Sequence, residues 1–169
     1  GLSVSGGGDS IALLYLMHKW ANKNKKKIFV ATVDHCLREE SANEVKAVKN
    51  ICIKLNIECE ILKWNNWNEN GNLQDAARLA RSELIGNWAL SLDLNAVATG
   101  HTSDDQAETF LMRLARGSGV DGLSGMATSI YKNGMLWFRP LLECRREDLR
   151  DFLITNKVSW FDDPSNQNM

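Results

Sequence analysis

Three consecutive glycines, Gly6-Gly7-Gly8, lie between a short apolar-alternating stub, Leu2-Ser3-Val4-Ser5, and a long apolar-periodic segment that opens with Asp9-Ser10-Ile11. A strand, a turn of minimal bulk and a helix N-terminus in immediate succession leave little freedom in how the chain can fold. The turn leads straight into backbone N–H groups with no intrahelical partner, on the positive end of the helix dipole. Such an end suits an anion, and glycines let the backbone approach phosphate without a Cβ in the way. The loop is not a Walker A, because no Gly-Lys-Ser/Thr follows, and its glycines lack the spacing of the dinucleotide fingerprint.

Strand and helix patterns alternate through the rest of the chain. Positions Leu13, Leu14, Leu16, Met17, Trp20 and Ala21 share a broad face of a helix over about 10–24, which ends in the lysine-rich stretch 23–27. Ile28 to Val33 is a continuous β-prone run of the kind buried in a parallel sheet. Ser41-x-x-Glu44 reads as a capping box that opens a helix with Val45, Val48, Ile51, Cys52 and Leu55 inward, followed by a short strand over 57–62. Residues 63–71, with Trp64, Trp67 and four asparagines, read as a mobile loop. The two tryptophans could stack on a base or could anchor the loop to the core.

Asn72 is placed to cap a long helix through Trp88, and 96–100 is the fourth strand. Ser103-x-x-Gln106 reads as a second capping box, leading into the apolar positions Ala107, Phe110, Leu111 and Leu114. The glycine-rich segment 117–125 predicts no regular element. A hairpin turning at Lys132-Asn133-Gly134 and a helix over about 146–156 complete the pattern. This alternation predicts an α/β fold, an open, mostly parallel twisted sheet with helices on both faces.

In such sheets ligands bind beyond the carboxyl ends of the strands. Three polar clusters fall on that edge: Ser5 to Ser10 after strand one, Asp34-His35 after strand two, and Gly100-His101 with Asp104-Asp105 after strand four. Ser5 and Ser10 offer hydroxyls to phosphate oxygens. Asp9 could hold Mg²⁺ or cap the helix, with equal weight. Asp34 could hold a cationic amine or a metal on a bound phosphate. Asp104 and Asp105 suit a helix's first turn, but two acids with His101 before them and Glu108 one turn on point one of them at the site. Arg113 and Arg116 read equally as solvated helix residues or phosphate contacts, and His18 reads as structural.

The chain is 169 residues long with a net charge of −1, enough for one domain with its own core and without a global basic field for nucleic acid. Its four cysteines contain no Cys-x-x-Cys pair, which argues against a zinc ribbon or iron–sulfur site, and they read as mostly buried free thiols of a reduced, cytoplasmic protein. No apolar run reaches membrane-spanning length. Both ends read as cut, so the sequence is taken as a fragment.

The loop Ser5-Gly6-Gly7-Gly8-Asp9-Ser10 resembles the pyrophosphate loop of the N-type ATP pyrophosphatases, which split ATP to AMP and pyrophosphate. Further stretches narrow the likeness: Val33 to Arg38 with Ser41 and Glu44, Gly71 to Arg78 with Arg81, Ala98 to Thr109, Leu111 to Leu114, Arg116 to Gly119, Gly122-Leu123, Arg139 to Leu142, and Asp163 to Asn166. Together they are similar to the tRNA(Ile)-lysidine synthase family over nearly the whole chain. Gly8 departs from the family, which more often carries proline or another side chain there. The resemblance implies an adenine nucleotide alpha hydrolase-like, Rossmann-like catalytic domain over residues 1–169, with the family's C-terminal tRNA-binding part absent. It implies ATP with Mg²⁺ as cofactors, and as partners free L-lysine and tRNA(Ile) with a CAU anticodon, with a homodimer left open.

On this reading Ser5, Gly6, Gly7, Gly8, Asp9, Ser10, Gly100 and His101 bind ATP, with Asp9 on Mg²⁺. Asp34, His35, Asp104, Asp105 and Glu108 serve catalysis, lysine or metal. Arg78, Arg81, Arg113 and Arg116 contact the tRNA or phosphate. The alternatives are a thiolase sharing the loop, favoured only by Cys36 beside His35, and a non-catalytic nucleotide-binding module.

Overall fold

A computed structural model describes residues 1–36, 39–65 and 71–161. Trp67, the turn-rich 162–166 and the motif residues Leu37, Arg38, Asp163, Pro164, Ser165 and Asn166 lie outside the described residues. In chain order the elements are β1 (Leu2–Ser3), α1 (Gly8–Asn24), β2 (Phe29–Asp34), α2 (Glu39–Lys54), β3 (Glu58–Lys63), α3 (Leu73–Ser91), β4 (Ala96–Thr99), α4 (Ser103–Ala115), a 3₁₀ turn (Val120–Leu123), β5 (Ser129–Lys132), β6 (Met135–Phe138) and α5 (Arg146–Thr155).

The strands form one sheet in the order β3-β2-β1-β4-β6-β5. All neighbours are parallel except the edge pair β5–β6, an antiparallel hairpin. Its turn is made by Asn133 and Gly134 at φ of 52° and 75°, the left-handed pair that a two-residue hairpin needs to match strand twist.

Alternation along the strands divides the core between the two faces. Val30 and Ala98 join Leu2 and Val4 against α1, α2 and α5, where Leu13, Leu14, Val48, Cys52, Leu149 and Leu153 are buried. Ala31 and Val97 face the other way, with Met135 and Trp137, onto Ile85, Trp88 and Ala89 of α3. Helices therefore cover both faces. Among the described residues no helix is long and apolar enough to cross a membrane. Of the cysteines, Cys52 is buried, Cys59 and Cys144 are half-buried, and Cys36 is exposed.

Three local expectations change. Ser41 does not open α2, which runs from Glu39; its hydroxyl donates instead to Asp34 Oδ1 at 2.5 Å. The cap of α4 is Thr102 rather than Ser103: Thr102 Oγ1 accepts from the Asp105 N–H while the Asp105 carboxylate accepts from the Thr102 N–H. The glycine-rich segment is not free of regular structure either, since it holds the 3₁₀ turn Val120–Leu123; on α4 the apolar positions Phe110, Leu111 and Leu114 are 42%, 61% and 51% exposed. By contrast Asn72 caps α3 as its sequence predicts, accepting from the N–H groups of Gln74 and Asp75.

Candidate active site

Strand β1 has its sequence-adjacent connection, through α1, to β2 on one side, and it pairs with β4 on the other. The crossovers leave in opposite directions there, so a crevice opens at the carboxyl ends of the two strands. A cleft of about 380 Å³ occupies that place, lined by residues from β1 and its loop (Ser5, Gly7, Gly8, Asp9, Ser10), from the end of β4 (Thr99, Gly100, His101, Asp105), and by Arg81, Arg146, Arg150 and Phe161.

The loop is held by its own serine. Ser10 Oγ accepts from the N–H groups of Ser5 and Gly6 at 3.2 and 3.1 Å and donates to the Gly7 carbonyl at 2.8 Å. Its hydroxyl hydrogen is thus committed to shaping the turn. Gly6 sits at φ +96°, which asks for glycine. At the helix start Gly7 supplies no side-chain cap, and the first intrahelical bond is Ile11 N–H to the Gly7 carbonyl. The N–H groups of residues 8–10 have no intrahelical partner and adjoin the cleft, the arrangement an anion wants. Gly100 matters for a different reason: a Cβ there would lie 3.0 Å from the Asp9 carbonyl oxygen, so glycine lets β4 press against the first turn of α1. Gly8 abuts the Trp160 indole, and a Cβ there would lie only 3.3 Å from it, so an aromatic is packed where a side chain would go.

Four acids picked out from the sequence converge on one residue that was not. Arg146, the first residue of α5, donates from Nε to Asp9 Oδ2, from Nη2 to Asp105 Oδ1 and from Nη1 to Glu108 Oε1, each at 3.2 Å. Its backbone N–H donates to Asp104 Oδ2 at 2.8 Å. Arg145 at the cap of α5 is answered by Asp148 of the same helix, whereas Arg146 at its first position sets a cation against the dipole, a sequence signal that acids from elsewhere meet it. Burial raises the Asp9 pKa above the usual carboxylate value, an effect partly offset by the Arg146 hydrogen bond and charge. His101 lies in the cleft with Nδ1 2.9 Å from Thr99 Oγ1, and burial lowers its pKa against the pull of Asp105.

The second cluster has a different character. Asp34 is 7% exposed, and its Oδ1 accepts from Ser41 Oγ and from the Cys36 N–H at 2.9 Å; the Ser41 bond leads in lowering its pKa. It ties the end of β2 to α2 and does not line the cleft. His35 packs edge-on to Trp64 at 5.6 Å, and its Nε2 lies 3.0 Å from Arg81 Nη2. A guanidinium only donates, so Nε2 is the acceptor and the ring is neutral. Burial first, then the Arg81 charge, pushes the His35 pKa down to about 4.

Of the arginines, Arg81 faces the cleft and Arg78 lies one turn earlier on α3, close enough for its charge to depress His101. Arg113 instead donates to the carbonyls of Gly122 and Ser124, pinning the glycine-rich segment. Arg116 caps the far end of α4, about 16 Å along the helix from Asp105 by helical rise.

The PP-loop domain family, ATP_bind_3, matches residues 1–169. This chain belongs to that family. Relatives to which the PP-loop domain is similar include the tRNA(Ile)-lysidine synthases of Ruegeria pomeroyi (47% identical over 169 residues, 100% of this chain and 40% of the relative), Wolbachia pipientis wMel (44% over 170 residues, 99% and 39%) and Rhodopseudomonas palustris (43% over 167 residues, 98% and 48%). The chain thus spans less than half the length of these relatives. Among solved structures, the fold is similar to the U34-tRNA thiolase NcsA from Methanococcus maripaludis with its [4Fe-4S] cluster (TM-score 0.83, 17% identity, 96% of this chain and 58% of that one). It is also similar to phosphoadenylyl-sulfate reductase from Candida auris in its phosphate complex (TM-score 0.57, 12% identity, 94% and 74%). At these identities the likeness is one of fold, and it agrees with the adenine nucleotide alpha hydrolase-like architecture expected.

Proposed function

We propose that this PP-loop domain is the ATP-using part of a tRNA(Ile)-lysidine synthase. The observation that carries the reading is the uncapped start of α1, which opens with its glycine loop onto a cleft holding both carboxylates and guanidinium groups. The relatives' name, tRNA(Ile)-lysidine synthase, supports tRNA(Ile) as substrate, and the reading adds a CAU anticodon, free L-lysine as second substrate and ATP as the activating cofactor.

In the first step the C2 oxygen of the wobble cytidine attacks the α-phosphorus of ATP, and the bond to pyrophosphate breaks. The N–H groups at residues 8–10 and the guanidinium of Arg81 suit the phosphate charge, worth most where water is excluded. In the second step the lysine ε-amine attacks C2 and AMP leaves. The amine must first lose a proton. His101, held neutral by burial at the cleft wall, suits that acceptance, and Asp105 with Glu108 suits the cationic form of the amine.

Among the described residues no three carboxylate, histidine or cysteine side chains form a metal cage. Mg²⁺ typically takes one or two carboxylates and completes its shell with phosphate oxygens and water, so Asp9 fits an ion carried in on the nucleotide. There it would draw charge from the leaving pyrophosphate. Asp34 belongs to the support of the site, through Ser41 and Cys36. With a net charge of −1 the domain has little long-range pull on an anticodon arm, so tRNA binding by these residues should be weak and steeply salt-dependent.

The test is pyrophosphate release from ATP by the full-length protein, with tRNA and lysine omitted in turn. Sustained turnover should need both, and Asp9→Ala should abolish it. Turnover without lysine, or sulfur entering the tRNA, would overturn the proposal.

A further inference from the structure

Arg146 holds the acids that the proposed chemistry needs for other cations. Its guanidinium has five N–H donors, and Asp9, Asp105 and Glu108 each take one of them from a different nitrogen. Asp104 fixes the backbone at the same residue, so the arginine cannot drift away from the cleft. The side chain is 22% exposed and lines the cleft beside the start of α1. Asp9 is in the first turn of α1, so a phosphate seated on the N–H groups of residues 8–10 comes to rest next to the Asp9–Arg146 pair. A polyphosphate offers the planar fork several oxygens and more charge than one carboxylate, and guanidinium pairs with it bidentately.

Resting on the function just proposed, we infer that Arg146 is a positioning residue that plugs the amine site with its own cation and is drawn onto the phosphates when the nucleotide binds. Its departure uncovers Asp105 and Glu108 for the ammonium of the incoming lysine. The order of events is then built into the site: nucleotide first, amino acid second. A premature amine meets acids that are already paired, and an ATP-loaded site meets the amine with two unpaired carboxylates. Arg150, on the next turn of α5 and also lining the cleft, keeps a positive charge nearby when Arg146 turns.

Coupling of this kind is reciprocal. The experiment measures L-lysine binding to the full-length protein by calorimetry, with and without a non-hydrolysable ATP analogue and Mg²⁺. The wild-type protein should bind lysine about tenfold or more tightly when the analogue is present, and saturating lysine should tighten the analogue by the same factor. In Arg146→Gln the ratio should fall below about twofold, because lysine binding no longer waits for the nucleotide. Should that variant fail to fold, the Arg146 Nε–H resonance of the wild-type protein gives the same answer. It should shift on adding the analogue alone, before any lysine. Equal coupling in wild type and variant, or an Nε–H signal indifferent to the analogue, overturns the inference while leaving ATP binding intact. A protein that binds no analogue at all overturns the proposed function as well.

Discussion

Replacing Gly100 by alanine tests how closely the end of β4 is fitted to the phosphate loop. The added Cβ would lie 3.0 Å from the Asp9 carbonyl oxygen, 3.1 Å from its carbon and 3.1 Å from Ser10 Cα. All three are backbone atoms in the first turn of α1, so no side chain can swing aside. Restoring ordinary contact requires the turn and the strand to part by about 0.5 Å, and overpacking of this sort costs about 1–3 kcal/mol. For a domain of this size that is a fall in Tm of about 2–12 °C. The same displacement moves the N–H donors of residues 8–10 from about 2.9 Å to about 3.4 Å of a bound phosphate oxygen, the outer edge of hydrogen bonding. Losing about 1–2 kcal/mol of binding there weakens ATP about 5- to 30-fold. Gly119→Ala is the control, because a Cβ at that position meets no heavy atom within 4 Å and its φ is −64°. Thermal melts and equilibrium ATP titrations of both variants decide the matter. A Gly100→Ala protein with the melting temperature and ATP affinity of the Gly119→Ala protein would refute the close-approach argument.

Two further outcomes follow from the second cluster. His35 titrates at about 4 in the folded protein and near 6.5 when unfolded, so the unfolded chain binds the extra proton first. Its contribution to stability is therefore complete above about pH 6.5 and is lost as pH falls toward 4; an NMR titration should find the ring neutral at pH 6, and Arg81→Gln should raise its pKa. Asp34→Ala removes the acceptor shared by Ser41 and the Cys36 N–H, and hydrogen bonds to a charged group put the cost at about 1.5–3 kcal/mol, read by chemical denaturation. Asp34→Asn, which keeps the acceptor oxygen, should recover most of that loss, and a stable but inactive Asp34→Ala protein would instead return Asp34 to the chemistry.

The architecture was legible because periodicity and turn chemistry agree along most of the chain. The β-prone runs, the Asn133-Gly134 hairpin and the Asn72 cap all stand where their residues put them. Where two readings shared one pattern, tertiary contacts chose. Thr102-x-x-Asp105 and Ser103-x-x-Gln106 both fit a capping box, and the fully buried Thr102 hydroxyl decides for the first. Ser41-x-x-Glu44 fits one too, but the Asp34 carboxylate draws the serine elsewhere. The stripe Phe110, Leu111 and Leu114 shows the limit of periodicity, which tells which residues share a face and not what covers it. Of the site, the loop and the β4 segment could be read from local order. Arg146 could not, because Asp9, Asp105 and Glu108 reach it only once α1, α4 and α5 are assembled.

The two-residue strand β1 has a consequence for how the molecule comes together in time. Leu2 pairs with Val30 on one side and Ala98 on the other, and the Gly6 carbonyl accepts from the N–H of Phe161. The phosphate loop is therefore clasped by segments from the beginning, the middle and the far end of the described chain. Contacts that span so much sequence close late, after the local helices and the β2–β3 pair have formed. A nucleotide site built on such contacts needs nearly the whole described chain in place, so helix content by itself is no measure of a loop able to hold ATP.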